Sequence, residues 1–117
     1  MTRFATPLLQ VTPSAAAEGR RLALDGELDL ATTPILEESI ATAEIEGDPV
    51  VALDLTHLTF VDASGLKAIL NAHRRAIRRA GRGITLLNPS RDIRRLLELT
   101  AIDLTIAVVE DASAAPA

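Results

Sequence analysis

The chain has no cysteine, tryptophan or tyrosine, and Phe4 and Phe60 are its only aromatic residues. Without cysteine there is no disulfide, no thiolate nucleophile and no cysteine-bound zinc. Two aromatic rings are a poor kit for stacking bases or sugars. A dominant charge of one sign is lacking too: a net −4 over 117 residues leaves no single basic surface of the kind nucleic acid requires. No stretch approaches the roughly 18 consecutive apolar residues of a membrane span. The first residues, MTRFATPLLQV, are interrupted by Pro7 before they can form the apolar core of a signal peptide. A soluble cytoplasmic protein is the expectation, folded as one domain over residues 1–117, with a short disordered tail at 111–117.

What is present is aliphatic. Apolar residues make up 48% of the chain, enough for a real core in a domain of this size and too little length for a substrate cleft between two lobes. Charge is divided along the chain: residues 1–62 carry three basic side chains against eleven acidic ones, whereas residues 63–117 carry nine against five. Such two-sidedness can orient a protein partner.

Periodicity gives the elements. Leu8 to Thr12 reads as a short strand ended by Pro13. Arg21 to Leu30 alternates, with Leu22, Leu24, Leu28 and Leu30 on one side and Ala23, Asp25, Glu27 and Asp29 on the other. Thr33-Pro34 is a helix start, and Gly47-Asp48-Pro49 stops that helix near Ile45. Val50 to Leu55 is nearly continuous in apolar character, as in strands covered on both faces. Leu66, Ile69, Leu70, His73 and Ile77 then recur at helical spacing up to Gly81. Ile84 to Leu87, Ser90 to Leu99 and Leu104 to Val109 follow as strand, helix and strand. The pattern predicts an α/β fold with a mostly parallel central sheet of four to five strands and flanking helices, whose functional positions lie at the carboxyl ends of strands.

One such end is Thr59-Phe60-Val61-Asp62-Ala63-Ser64-Gly65-Leu66, where an acid, a hydroxyl and a glycine separate an apolar strand from an apolar helix. Local chemistry allows Asp62 or Ser64 to cap the helix, and allows Ser64 to be an exposed hydroxyl that another enzyme modifies. A nucleophile is the weakest of the three readings. His57, Asp62 and Ser64 have triad composition, but a nucleophile elbow needs glycines where Asp62 and Leu66 stand. Asp25, Glu27 and Asp29 project from one strand face without a histidine, the pattern of a solvated face and not of metal ligands. Arg74, Arg75, Arg78, Arg79 and Arg82 gather near the end of a helix, where its dipole favours cations. No phosphate-binding loop is present, because no Gly-Lys-Ser/Thr follows Gly81-Arg82-Gly83.

Gly-Glu-Leu-Asp at 26–29, the strand VVALDL and the turn DASGL resemble, in this order and over essentially the whole chain, the STAS domains of bacterial anti-sigma factor antagonists. Ala63 stands where many relatives have a second small hydroxyl residue, and the final helix of the family is reduced to a few residues at most. The resemblance implies partner switching and no enzymatic activity. An anti-sigma factor with serine kinase activity binds the unphosphorylated protein and lets go of its sigma factor; phosphorylation of Ser64 ends that binding, and a serine phosphatase restores it. It places the partner surface at Asp29, Asp62, Ala63, Ser64, Gly65, Leu66 and Lys67, and implies no metal, no bound cofactor, no membrane and no direct nucleic acid contact. The alternative within the family is a fixed regulatory subunit of a stress-signalling or lipid-transport assembly.

Overall fold

The computed structural model describes residues 4–110, in the order β1 (Phe4–Ala5), β2 (Leu9–Ala16), β3 (Gly19–Leu28), α1 (Thr33–Ile45), β4 (Val50–Val61), α2 (Ala63–Ala80), β5 (Thr85–Leu87), α3 (Arg91–Leu99), a 3₁₀ turn (Ile102–Leu104) and β6 (Ala107–Val109). The expected tail at 111–117, and with it any remnant of a final helix, lies outside the described residues. All six strands join one sheet in the order β1-β2-β3-β4-β5-β6. The sheet is mixed: β1, β2 and β3 pair antiparallel, and β3, β4, β5 and β6 pair parallel. The α/β expectation holds, with one more strand and more antiparallel pairing than the periodicity suggested.

Two local causes account for the difference. β1 has only two residues, opposite Gln10 and Val11, too few to show any period. Pro13 does not end β2, which continues to Ala16 with Pro13 opposite Leu22. Past the reach of β1, β2 is the edge of the sheet, and an edge tolerates a proline without a broken ladder.

Strand order that advances steadily, joined by right-handed crossovers, puts α1, α2 and α3 over one face of the sheet. Leucine alternation obeys this geometry. Leu9, Leu22, Leu24, Leu28, Leu53, Leu55 and Leu86 are buried toward the helices with Leu36, Ile69 and Leu97. At about 25 cal/mol per Å² of apolar surface removed from water, this cluster is the main stabilising term. The other face of β2 and β3 presents Thr12, Ser14 and Asp25 to solvent. Among the described residues, no helix is long and apolar enough to cross a membrane.

Candidate functional site

β3 and β4 are parallel and finish together, with Leu28 paired to Val61, so the loops that leave them start side by side. The Asp62 amide donates to the Leu28 carbonyl at 3.3 Å and closes the gap. Gly65 is required by this closeness and not by an unusual backbone. A Cβ there would collide with the Leu28 carbonyl and with a Val61 methyl.

The choice between two caps is resolved by register. Helix α2 begins at Ala63, which makes Asp62 the N-cap in extended conformation, and its Oδ1 accepts from the Gly65 amide at 2.9 Å. Ser64 is therefore the second helical residue and not the cap. Its side chain is half-buried, and its hydroxyl makes no hydrogen bond among the described residues. Histidine does not reach it: His57 is exposed along β4, and His73 is occupied as Nδ1 accepts the Ile84 amide at 3.2 Å. Ser64 has none of the base contact that activates a serine nucleophile.

The remaining residues of the expected surface divide into three sets. Ala63 and Lys67 are exposed beside Ser64. Gly65 and Leu66 are buried, so they hold the turn against the sheet from beneath and expose little to a partner. Asp29 belongs to the neighbouring loop and braces it. Its carboxylate accepts the Thr32 amide at 3.0 Å, while its own amide donates to the Thr32 hydroxyl at 2.9 Å. Thr32, not Thr33, sits at the cap position of α1, and its hydroxyl donates back to the Glu27 carbonyl at 2.8 Å.

Several residues at this end were not foreseen. A cavity of about 320 Å³ holds Ser64 together with Leu30, Thr33, Glu37, Lys67 and Asn71. Leu30 is 74% exposed and Phe60 47%. Leu30 was expected on the buried side of its strand. However, β3 ends at Leu28, after a register shift at Gly26, whose φ of 119° suits glycine. The Asp29-x-x-Thr32 spacing was the one signal that the strand had already become a turn.

Ion pairs fix the elements around the site. Glu44 of α1 accepts from Arg75 of α2 at 2.8 Å and meets Arg79 at 3.3 Å. The Arg75 hydrogen bond holds the Glu44 carboxyl below its usual range, and Glu44 in turn raises Arg75. Arg20 is buried at the other end of the sheet. It donates to Glu46 at 2.7 Å and to Asp48 at 2.9 Å, and its pKa is raised chiefly by the Glu46 hydrogen bond. Arg82 pairs with Glu18.

A family model, the STAS domain, matches residues 8–115. The anti-sigma-B factor antagonist of Listeria monocytogenes is 26% identical over 83 residues, which cover 71% of this chain and 72% of that protein. Among solved structures, an anti-sigma factor antagonist from Mycobacterium paratuberculosis superposes with a TM-score of 0.78 at 21% identity, covering 93% of this chain and 92% of its own. The Bacillus cell fate determinant SpoIIAA in its phosphorylated form gives 0.62 at 24% identity, over 89% and 91%. Both superpositions show a shared fold.

Proposed function

The chain belongs to the STAS-domain family, and from that membership we propose that it is an anti-sigma factor antagonist, a regulatory protein and not an enzyme. Its unmodified form binds an anti-sigma factor that is also a serine kinase, and the sigma factor is freed. Phosphorylation of Ser64 by that kinase ends the association, and a serine phosphatase resets it.

The observation that carries this reading is the division of labour between Asp62 and Ser64. Because Asp62 caps α2, the Ser64 hydroxyl is left without a hydrogen bond among the described residues, at the carboxyl end of the sheet. In the transfer, the Ser64 oxygen bonds to the γ-phosphorus of kinase-bound ATP, the bond to ADP breaks, and the hydroxyl proton passes to a base of the kinase. The product adds about −1.5 to −2 charges at the start of α2. One such charge and a partner carboxylate about 5 Å away at an effective dielectric near 20 repel by about 3 kcal/mol, and each 1.4 kcal/mol is about tenfold in affinity. Within the chain, the N-terminus of α2 favours the phosphate by about 0.3–1 kcal/mol, against the neighbouring Asp62 carboxylate. Fold and partner are thus affected unequally: the helix tolerates the phosphate, and an acidic neighbour across an interface does not.

Intact-mass and tandem mass spectrometry test this after incubation with ATP and the anti-sigma kinases encoded in the same genome. One added phosphate that maps to Ser64 and is lost in Ser64→Ala is the expected result. Stable binding to such a kinase with no phosphate on Ser64 would instead make the chain a fixed regulatory subunit.

A further inference from the structure

On α2, Ser64, Lys67, Asn71, Arg74 and Arg78 follow one another at spacings of three and four residues, so they lie in one row along the helix. The row is about 21 Å long at 1.5 Å per residue. It borders a second cavity, of about 450 Å³, between α1 and α2. The two cavities share Glu37, Ala68 and Asn71, and so form one groove with Ser64 at its head. Ala41, Ala68 and Ala72 line it with small side chains, leaving room for another backbone to approach. Its walls are held together by Glu44, which joins α1 to Arg75 and Arg79.

The cations of the row are not used in the same way as their neighbours. Arg75 and Arg79 are paired with Glu44, whereas Lys67, Arg74 and Arg78 make no ion pair among the described residues. Among the described residues, Glu37 is the one acidic residue lining the groove, which leaves that lining positive in a chain whose net charge is −4. We propose that this groove seats an acidic helical segment of the anti-sigma factor, with Lys67, Arg74 and Arg78 meeting its carboxylates. The inference rests on the function proposed above and extends its contact surface about 20 Å beyond the Ser64 turn.

Placement of Ser64 at the head of the row gives the phosphate a second effect. Lys67 follows by one helical turn and lines the same cavity. A phosphate on Ser64 competes for Lys67 with the incoming carboxylates, and it adds negative charge where the acidic segment enters. A protein occupant is favoured over nucleic acid by the overall negative charge, by Glu37 within the groove, and by the absence of aromatic side chains from the groove lining.

The test uses the full chain and the anti-sigma kinase that phosphorylates Ser64, with binding measured by calorimetry at about 50 mM and about 300 mM salt. The doubly substituted Arg74→Glu, Arg78→Glu chain is expected to bind at least tenfold more weakly at the lower salt, with the gap narrowing at the higher. Circular dichroism melts should match those of the unsubstituted chain. Glu37→Lys should bind severalfold more tightly, a gain that misfolding cannot mimic. If neither change moves the affinity while Ser64→Asp still releases the kinase, the groove is not a docking site and the proposed function stands. If the unsubstituted chain neither binds nor is phosphorylated by any such kinase, both readings fall. A labelled 20-base-pair duplex that binds at the lower salt, and is lost on the double substitution, would replace the acidic segment with a polyanion and overturn the proposal.

Discussion

The two ends of the sheet are built by different rules. At the amino end of β3 and β4, charge is paired: the Arg20 side chain is 6% exposed and forks onto Glu46 and Asp48 through its two terminal nitrogens. Its Nε has no partner among the described residues, and its amide donates to the Pro49 carbonyl. At the carboxyl end, groups are left available: Leu30 and Phe60 face solvent, and the Ser64 hydroxyl has no hydrogen bond among the described residues. At the amino end the charged groups hold the fold; at the carboxyl end Asp62, Asp29 and Thr32 hold the turns, while two apolar side chains and one hydroxyl stay accessible. If the proposed function holds, stability and recognition are separated by the length of the strands, and substitutions at either end should move one property and spare the other.

The largest effect should come from the carboxyl end. Ser64→Asp is expected to weaken kinase binding about 100-fold, close to 2.7 kcal/mol, with the melting temperature unchanged; calorimetric titration and thermal melts read the two quantities separately. Arg20→Ala should do the reverse. It removes a buried cation from two half-exposed carboxylates and leaves a void, costing about 2 kcal/mol and roughly 10 °C in melting temperature, with affinity unchanged. A binding loss in Arg20→Ala would collapse the separation of the two ends.

Smaller effects sharpen the comparison. Phe60→Ala and Leu30→Ala should each weaken partner binding by about 1–2 kcal/mol, as exposed apolar side chains at the centre of an interface do, and leave urea midpoints in place. Glu44→Gln should have the smallest effect, about 1 kcal/mol of stability at neutral pH. Because Arg75 lowers the Glu44 pKa, the folded chain takes up that proton less readily than the unfolded chain does. The contribution is complete above the ordinary carboxyl value of 4.5 and disappears as pH falls through the lowered one. Urea melts at neutral pH and near pH 3 should show the difference between Glu44→Gln and the unsubstituted chain closing in acid.

Features set by nearby residues were legible in the sequence. The alternating leucines of β3 and the Gly81 end of α2 each depend on local pattern and are found as expected, and α1 does start at Thr33-Pro34, although Thr32 and not Thr33 takes its cap position. The helix expected from Ser90 to Leu99 is another; it starts at Arg91, with Ser90 as its cap accepting from the Ile93 amide at 3.3 Å. Features that depend on contacts between distant segments were not legible. Whether Asp62 or Ser64 caps α2 turns on the residue at which β4 stops, and β4 continues to Val61 instead of Leu55, supported by Thr59 donating to the Gly26 carbonyl at 3.0 Å. Ile77 has core spacing but lies in the last turn of α2 and is exposed. The arginines of α2 looked alike as a cluster. Which of them are neutralised is decided by Glu44, 31 residues before Arg75, and no local pattern contains that information.

The Asp62 cap also bears on how a signal at this site would persist. Since the bond that starts α2 is made by Asp62, esterifying Ser64 removes no native hydrogen bond and exposes no apolar surface. Modified and unmodified chains should therefore open equally rarely and be degraded at the same rate. Their abundance would then carry no record of the modification, and a phosphate at Ser64 would last until an enzyme removed it or the chain itself was degraded.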